Sequence, residues 1–170
     1  MTPTEILEPA EKTASRTQQV STGQQAPDSK PEQSPTTQPK QKKLVIGFVC
    51  ERSVDLGKLT GGSDYLKDDP NVAIIPMPCS GMIRPMGMEK ALKQGASKVF
   101  AAGCKIGDCH FRNGNMLIRD RLRRLRAPKL KNNTPDAQVG CFFHSKENNE
   151  KFLAEVRDFV NAPLPAQGKK

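Results

Sequence analysis

The chain contains no tryptophan, and its one tyrosine and seven phenylalanines make aromatic residues only 5% of 170, within a hydrophobic fraction of 35%. Any core must therefore be modest in size and largely aliphatic. Long apolar runs are also missing. None approaches the roughly 18 to 20 residues that cross a bilayer, which excludes a helical membrane protein. The first twenty residues are not expected to act as a secretory signal, because Glu5, Glu8, Glu11, Lys12 and Arg16 interrupt them. The expected location is the cytoplasm.

What apolar content there is lies beyond residue 42. Residues 1–42 hold six of the fourteen prolines and only Met1, Ile6, Leu7 and Val20 as large aliphatic residues or methionines. Such a stretch cannot offset its ordering entropy by burial and reads as a disordered low-complexity tail. Its five basic and five acidic residues cancel, so the whole net charge of +9 belongs to the remainder. The expected organisation is a tail over 1–42, one domain over 43–162 and a flexible terminus over 163–170.

Within the domain, short β-rich runs alternate with helix-compatible stretches. The pattern predicts strands over 44–49 (LVIGFV), 71–75 (NVAII), 98–102 (KVFAA) and 138–143 (QVGCFF), and helices over 56–66, 87–94, 115–125 and 147–160. Strand and helix in alternation predict an α/β fold, a small open, mainly parallel sheet flanked by helices. No internal repeat is visible. No G-x-G-x-x-G follows the first strand, where residues 50–57 read CERSVDLG, so a nucleotide-binding dehydrogenase of the Rossmann kind is disfavoured.

The five cysteines, Cys50, Cys79, Cys104, Cys109 and Cys141, all lie in the domain. An odd number in a chain without a signal argues against a disulfide framework and leaves metal binding, thiol chemistry or plain burial. Cys50, Cys79 and Cys104 fall at the exits of the first three strands. The carboxyl ends of parallel strands form a single edge, where α/β sheets hold their ligands. Residues 103–110 (GCKIGDCH) add Cys109 in a C-x4-C pair, a spacing also found in plant-type [2Fe-2S] ferredoxins, with Gly103 and Gly107 giving backbone freedom. In 76–81 (PMPCSG) a proline-stiffened turn presents Cys79, and the amides of Ser80 and Gly81 are expected to donate to a sulfide. Four thiolates suffice for an iron-sulfur site, while each cysteine alone is equally a small buried hydrophobe. Cys141, inside the fourth strand, reads as buried.

Three runs, 46–50 (IGFVC), 78–81 (PCSG) and above all 103–115 (GCKIGDCHFRNGN), resemble the delta subunit of methyl-viologen-reducing hydrogenase. The resemblance spans residues 43–159. It implies a [2Fe-2S] protein with Cys50, Cys79, Cys104 and Cys109 as cofactor and metal ligands. It also implies a relay between a hydrogenase or formate dehydrogenase type partner and the flavin-containing subunit of a heterodisulfide-reductase-like complex. Such a protein transfers electrons without a substrate of its own. The family usually carries further cysteines near the first strand's exit, where this chain has Val49 and Ser53. Cys141 has no counterpart in that pattern.

Two readings of another class stay open. One is a thiol or persulfide carrier or enzyme, with Cys104 or Cys109 activated by Lys105, Arg112 or a helix N-terminus. The other is a zinc-structured adaptor, disfavoured because the cysteines come from several strand exits instead of paired knuckles. His110 and His144 are the only histidines. His110 is expected to point away from the thiols, and Asp108 to cap a helix beginning near Phe111. Residues 112–131 carry eight basic residues against Asp120 alone, giving this segment +7 of the total. With no nucleic-acid motif or aromatic stacking set beside it, this patch is read as docking an acidic protein surface, through Arg119 and Arg123 on one helix face.

Overall fold

The computed structural model describes residues 44–164. The expectations for 1–42 and for 165–170 lie outside them. Four strands, β1 (Val45–Cys50), β2 (Val72–Met77), β3 (Lys98–Cys104) and β4 (Val139–His144), form one sheet in the order β2-β1-β3-β4, every pair parallel. Four helices connect and follow them: α1 (Leu56–Thr60), α2 (Pro85–Lys93), α3 (Gly114–Leu122) and α4 (Asn149–Asn161). The α/β class, the parallel sheet and all four strands agree with the sequence reading. Every strand runs one or two residues further than its apolar run, since β pairing continues through Cys50, Met77, Cys104 and His144.

Alternation of side chains divides the sheet into two faces. Val45, Val49, Val72, Ile74, Phe100 and Ala102 point to one side and meet Phe152 and Val156 of α4, with Val54, Leu59 and Leu66. Val99 and Ala101 point to the other and meet Met88 and Ala91 of α2 and Ile118 and Leu122 of α3. Helices therefore cover both faces. The scarcity of aromatic residues is offset by concentration, because Phe100, Phe142, Phe152 and Phe159 pack edge to face with centroids 5.5 to 6.4 Å apart. Gly47 makes room for this cluster: a Cβ there would overlap the Phe100 ring. Among the described residues no helix is long and apolar enough to cross a membrane.

Two helix expectations are corrected. The first helix ends at Thr60 instead of residue 66, because Gly61 takes a left-handed φ of +63° and donates its N–H to the Gly57 carbonyl. The chain then turns back, and Tyr65 bridges antiparallel to Ala73 on the outer strand. The third helix, expected over 115–125, runs over Gly114–Leu122, and Asp108, expected to cap a helix beginning near Phe111, does not cap it. Its N-cap position is Asn113, which makes no side-chain capping bond. The amides at this end are taken by a cysteine.

Candidate functional site

Strand geometry explains why the four thiols meet. β1 and β3 are adjacent and parallel and both end in cysteine; Val49 pairs with Ala102, so Cys104 lies one residue beyond the level of Cys50, and the two sulfurs are 3.9 Å apart. Cys79 stands beyond β2, at the head of a 3-10 turn, Ser80–Met82, and its sulfur accepts the Gly81 N–H at 3.4 Å. Cys109 closes the loop after β3, and its sulfur and that of Cys79 both lie near Gly114. Cys50, Cys79 and Cys104 are buried, and Cys109 is half-exposed. Among the described residues no group of three or more His, Cys, Asp or Glu is gathered closely enough to hold a metal ion. The thiols stand as two pairs, each pair within electrostatic reach of the other: Cys79 feels Cys109 and Cys50, and Cys104 feels Cys50 and Cys109.

The proton affinities follow from local surroundings. Burial pushes the Cys104 thiol up to about 11, with the neighbouring Cys50 adding to the rise. Burial also raises Cys79, partly countered by the Gly81 N–H. Cys109 goes the other way. Burial opposes its ionisation, but the N–H groups of Asn115, Phe111 and Gly114 outweigh it and lower the thiol below its ordinary value. Those of Gly114 and Asn115 open α3, so the Cys109 sulfur takes the capping place expected of Asp108.

The loops fit a group seated on four thiols. Gly114 lies against both sulfurs of the second pair; a Cβ there would overlap Cys79 and stand 3.4 Å from Cys109. The Ser80 hydroxyl oxygen, close against Gly103, is buried and has no hydrogen-bond partner among the described residues. Two thiolates on one tetrahedral metal, at about 2.3 Å each, stand roughly 3.8 Å apart. The 3.9 Å between Cys50 and Cys104 agrees with that spacing.

Several supporting residues carried no signal in the sequence. Asn115 is fully buried and donates through Nδ2 to the carbonyls of Cys104 (3.1 Å) and Lys105 (2.8 Å), tying α3 to the cysteine loop. Arg121 donates to the carbonyls of Gly81 (2.6 Å) and Ile83 (3.1 Å), fixing the turn that follows Cys79. Ser53 donates its hydroxyl to the Cys50 carbonyl at 2.7 Å. Val49 is a core residue.

The remaining candidates separate from this edge. The His110 ring packs edge to face on Phe111, with centroids 4.9 Å apart, while its backbone N–H serves the Cys104 sulfur. His144 is buried, and its Nε2 lies 2.9 Å from Glu155 of α4. Cys141 sits in mid-strand opposite Ala101, half-buried against the core where burial was expected. Its thiol faces a cavity of about 280 Å³ lined also by Arg119, Arg123 and Arg124. The basic segment is partly consumed inside the domain. Arg121 holds the cysteine turn, Arg119 pairs with Asp120, and Arg124 pairs with Asp136 at 2.9 Å and caps the Thr134 carbonyl.

An open parallel sheet with four thiols and their amide donors at one edge defines a small cysteine-edged α/β domain. The chain belongs to the family described as methyl-viologen-reducing hydrogenase, delta subunit, whose model matches residues 45–162. Among curated proteins it is 38% identical over 124 residues to the iron-sulfur subunit of the vhc F420-non-reducing hydrogenase of Methanococcus voltae, covering 69% of this chain and 81% of that one. The corresponding iron-sulfur subunit of the vhu F420-non-reducing hydrogenase of Methanopyrus kandleri is 28% identical over 122 residues, covering 69% and 89%. A third relative is much longer. It is a subunit of the ferredoxin:CoB-CoM heterodisulfide reductase of Methanosarcina mazei, 29% identical over 118 residues, which are 69% of this chain and only 15% of that protein.

Proposed function

We propose that this chain is a cytoplasmic electron-transfer subunit that holds one [2Fe-2S] group on Cys50, Cys79, Cys104 and Cys109. It would relay electrons between a hydrogenase or formate dehydrogenase type partner and a flavin-containing heterodisulfide-reductase-like subunit. The carrying observation is the pairing of four thiols from three loops at one sheet edge, each pair in electrostatic contact with the other. The names of the relatives, hydrogenase iron-sulfur subunits and a heterodisulfide reductase subunit, support the same reading.

When bound, the cluster supplies one-electron exchange. The chain's own contribution is to place and polarise the sulfurs. The amides of Phe111, Gly114 and Asn115 stabilise a thiolate at Cys109, those of Gly81 and His110 do so at Cys79 and Cys104, and burial keeps water from three of the four. Cys50 with Cys104, and Cys79 with Cys109, would each serve one iron.

One observation favours a second reading, a thiol or persulfide carrier: Cys109 is half-exposed and its proton affinity is lowered, as a nucleophile requires. Metal analysis separates the two. Anaerobically prepared protein should be brown and contain about two irons and about two acid-labile sulfides per chain. Replacing any of Cys50, Cys79, Cys104 or Cys109 by Ser should lose or strongly weaken the cluster, and Cys141→Ser should spare it. Colourless, iron-free protein after anaerobic reconstitution would reject the reading, as would iron kept by Cys50→Ser and lost by Cys141→Ser.

A further inference from the structure

Of the basic segment 112–131, Arg121 serves the cysteine edge, while Arg119, Arg123 and Arg124 line the cavity of about 280 Å³ that Cys141 faces. None of the four edge thiols lines it. Its floor follows from strand geometry. Val139, Cys141 and Phe143 alternate along β4, the outer strand, and so share the face that packs with Leu122 of α3 and with Leu130. The chain returns to α3 to close one side, where the Leu130 N–H donates to the Arg121 carbonyl at 3.0 Å. Arg124 fastens the stretch that follows, donating to the Thr134 carbonyl at 3.1 Å and pairing with Asp136 at 2.9 Å. It does so from a left-handed backbone, φ +63°, just past the end of α3, where glycine is the usual residue. A disfavoured conformation is thus kept by the residue whose side chain holds the cavity wall.

The carboxylates near the cavity are already engaged. Asp136 is taken by Arg124, and Asp120 by both Nε and Nη2 of Arg119. Arg123 is exposed and in no ion pair among the described residues. Cys141 feels Arg123 and Arg119, which ease its ionisation although burial pushes the thiol up to about 12. Guanidinium charge therefore reaches into the cavity beyond what the chain's own carboxylates neutralise. The Arg124 Nε is buried and has no hydrogen-bond partner among the described residues, which leaves this lining one donor more than the chain uses.

We infer that this cavity binds a small organic anion, its carboxylate or phosphate group at Arg119 and Arg123 and its apolar body against Leu122, Leu130, Val139 and Phe143. Arginine forks match both kinds of head group. The volume lies at the lower end of the roughly 300 to 1,000 Å³ of small-molecule sites, room for one ring or short chain with a single head group. The sequence reading gave Arg119 and Arg123 an acidic protein surface to dock, but a recess with an apolar floor favours a ligand that enters it over a surface that spans it. The inference does not depend on the relay reading, because no edge thiol takes part.

The test uses the full chain, purified anaerobically, titrated by calorimetry with phenyl phosphate, benzoate, inorganic phosphate and benzylamine, with iron counted on each sample. Phenyl phosphate or benzoate should bind, and the tighter of the two identifies the head group. Inorganic phosphate should bind at least about tenfold more weakly for want of an apolar body, and benzylamine, a ring with the opposite charge, should not bind. Arg123→Gln should weaken the tighter probe by about tenfold or more, the loss of one charge-assisted contact. Arg123 holds no other side chain, so this variant should fold as the wild type does. Cys141→Met, which lengthens a side chain into the cavity, should block binding with iron content unchanged. At about four times its Kd the tighter probe should slow iodoacetamide alkylation of Cys141 about fivefold. Failure of both phenyl phosphate and benzoate to bind overturns the inference, and so does unchanged affinity in Arg123→Gln. Inorganic phosphate bound as tightly as phenyl phosphate would mean an adventitious ion only, and would overturn it too. An acidic protein held by the same arginines, with neither organic anion bound, would return this face to docking and reject the cavity as a site.

Discussion

Gly114 is packed against Cys79 so closely that a methyl group on its α-carbon would overlap the thiol sulfur. The helix carrying Gly114 begins there, and its first amides serve Cys109, so one glycine lets α3 approach both sulfurs of a pair. Gly114→Ala is expected to keep the fold and lower iron content several-fold, measured after identical anaerobic reconstitution. Wild-type iron content in this variant would show that the cradle has no part in seating the group.

Asn115 is the buried tie between α3 and the loop after β3. Asn115→Ala removes both donors to the carbonyls of Cys104 and Lys105 and the acceptor of the Met116 N–H. The expected loss is about 1 to 3 kcal/mol in urea unfolding of the metal-free protein, because the orphaned carbonyls are left without partners. Asn115→Asp keeps the acceptor and loses the donors, and should recover little.

Arg121 belongs to a strongly basic segment, yet its guanidinium is spent on the carbonyls of Gly81 and Ile83. Arg121→Gln is expected to cost about 1.5 to 3 kcal/mol, the range for hydrogen bonds from a charged donor. It should also loosen the Cys79 turn, seen as faster alkylation of Cys79 in metal-free protein. Exposed Arg126→Gln should do neither.

The thiols predict opposite responses to pH in the metal-free chain. Burial raises Cys104 to about 11 and Cys141 to about 12 from an ordinary value of 9.0, so the folded chain keeps protons that the unfolded chain releases. Their stabilisation is complete below the unfolded value and is lost as pH rises through the folded ones. Cys109, lowered despite its burial by three backbone N–H groups, stabilises above the unfolded value and loses that contribution as pH falls through the folded one. Unfolding midpoints measured across alkaline pH should fall more steeply for wild type than for Cys141→Val. Mass mapping after brief iodoacetamide treatment should find Cys109 modified before Cys104 and Cys141. Equal slopes, or Cys141 alkylated first, would contradict these assignments.

Some of this was legible in linear order because its cause is local. The apolar runs of β1 to β4 need no neighbour to be recognised, although only β3 is buried along its whole length, and alternating helices then require parallel crossovers. Cys50, Cys79 and Cys104 at three strand exits follow from that topology. The Gly61–Gly62 pair also carried a readable stop for α1, since both adopt positive φ, although helical spacing continues to Leu66.

Sequence alone thus determined the fold class, the edge on which the thiols collect and the family. Tertiary structure decided which groups serve them. Asp108 is an ordinary N-cap by composition, but the chain turns through Arg112 at φ +69° and presents the helix amides to Cys109 instead. Arg121 looks like one more surface charge until the Cys79 turn is folded over it. The pairing of Cys50 with Cys104, and of Cys79 with Cys109, arises from strand adjacency and loop contact, while spacing alone marks Cys104 and Cys109 as a pair. Each of these depends on atoms brought together from distant parts of the chain, so residue type and local periodicity carry no record of it.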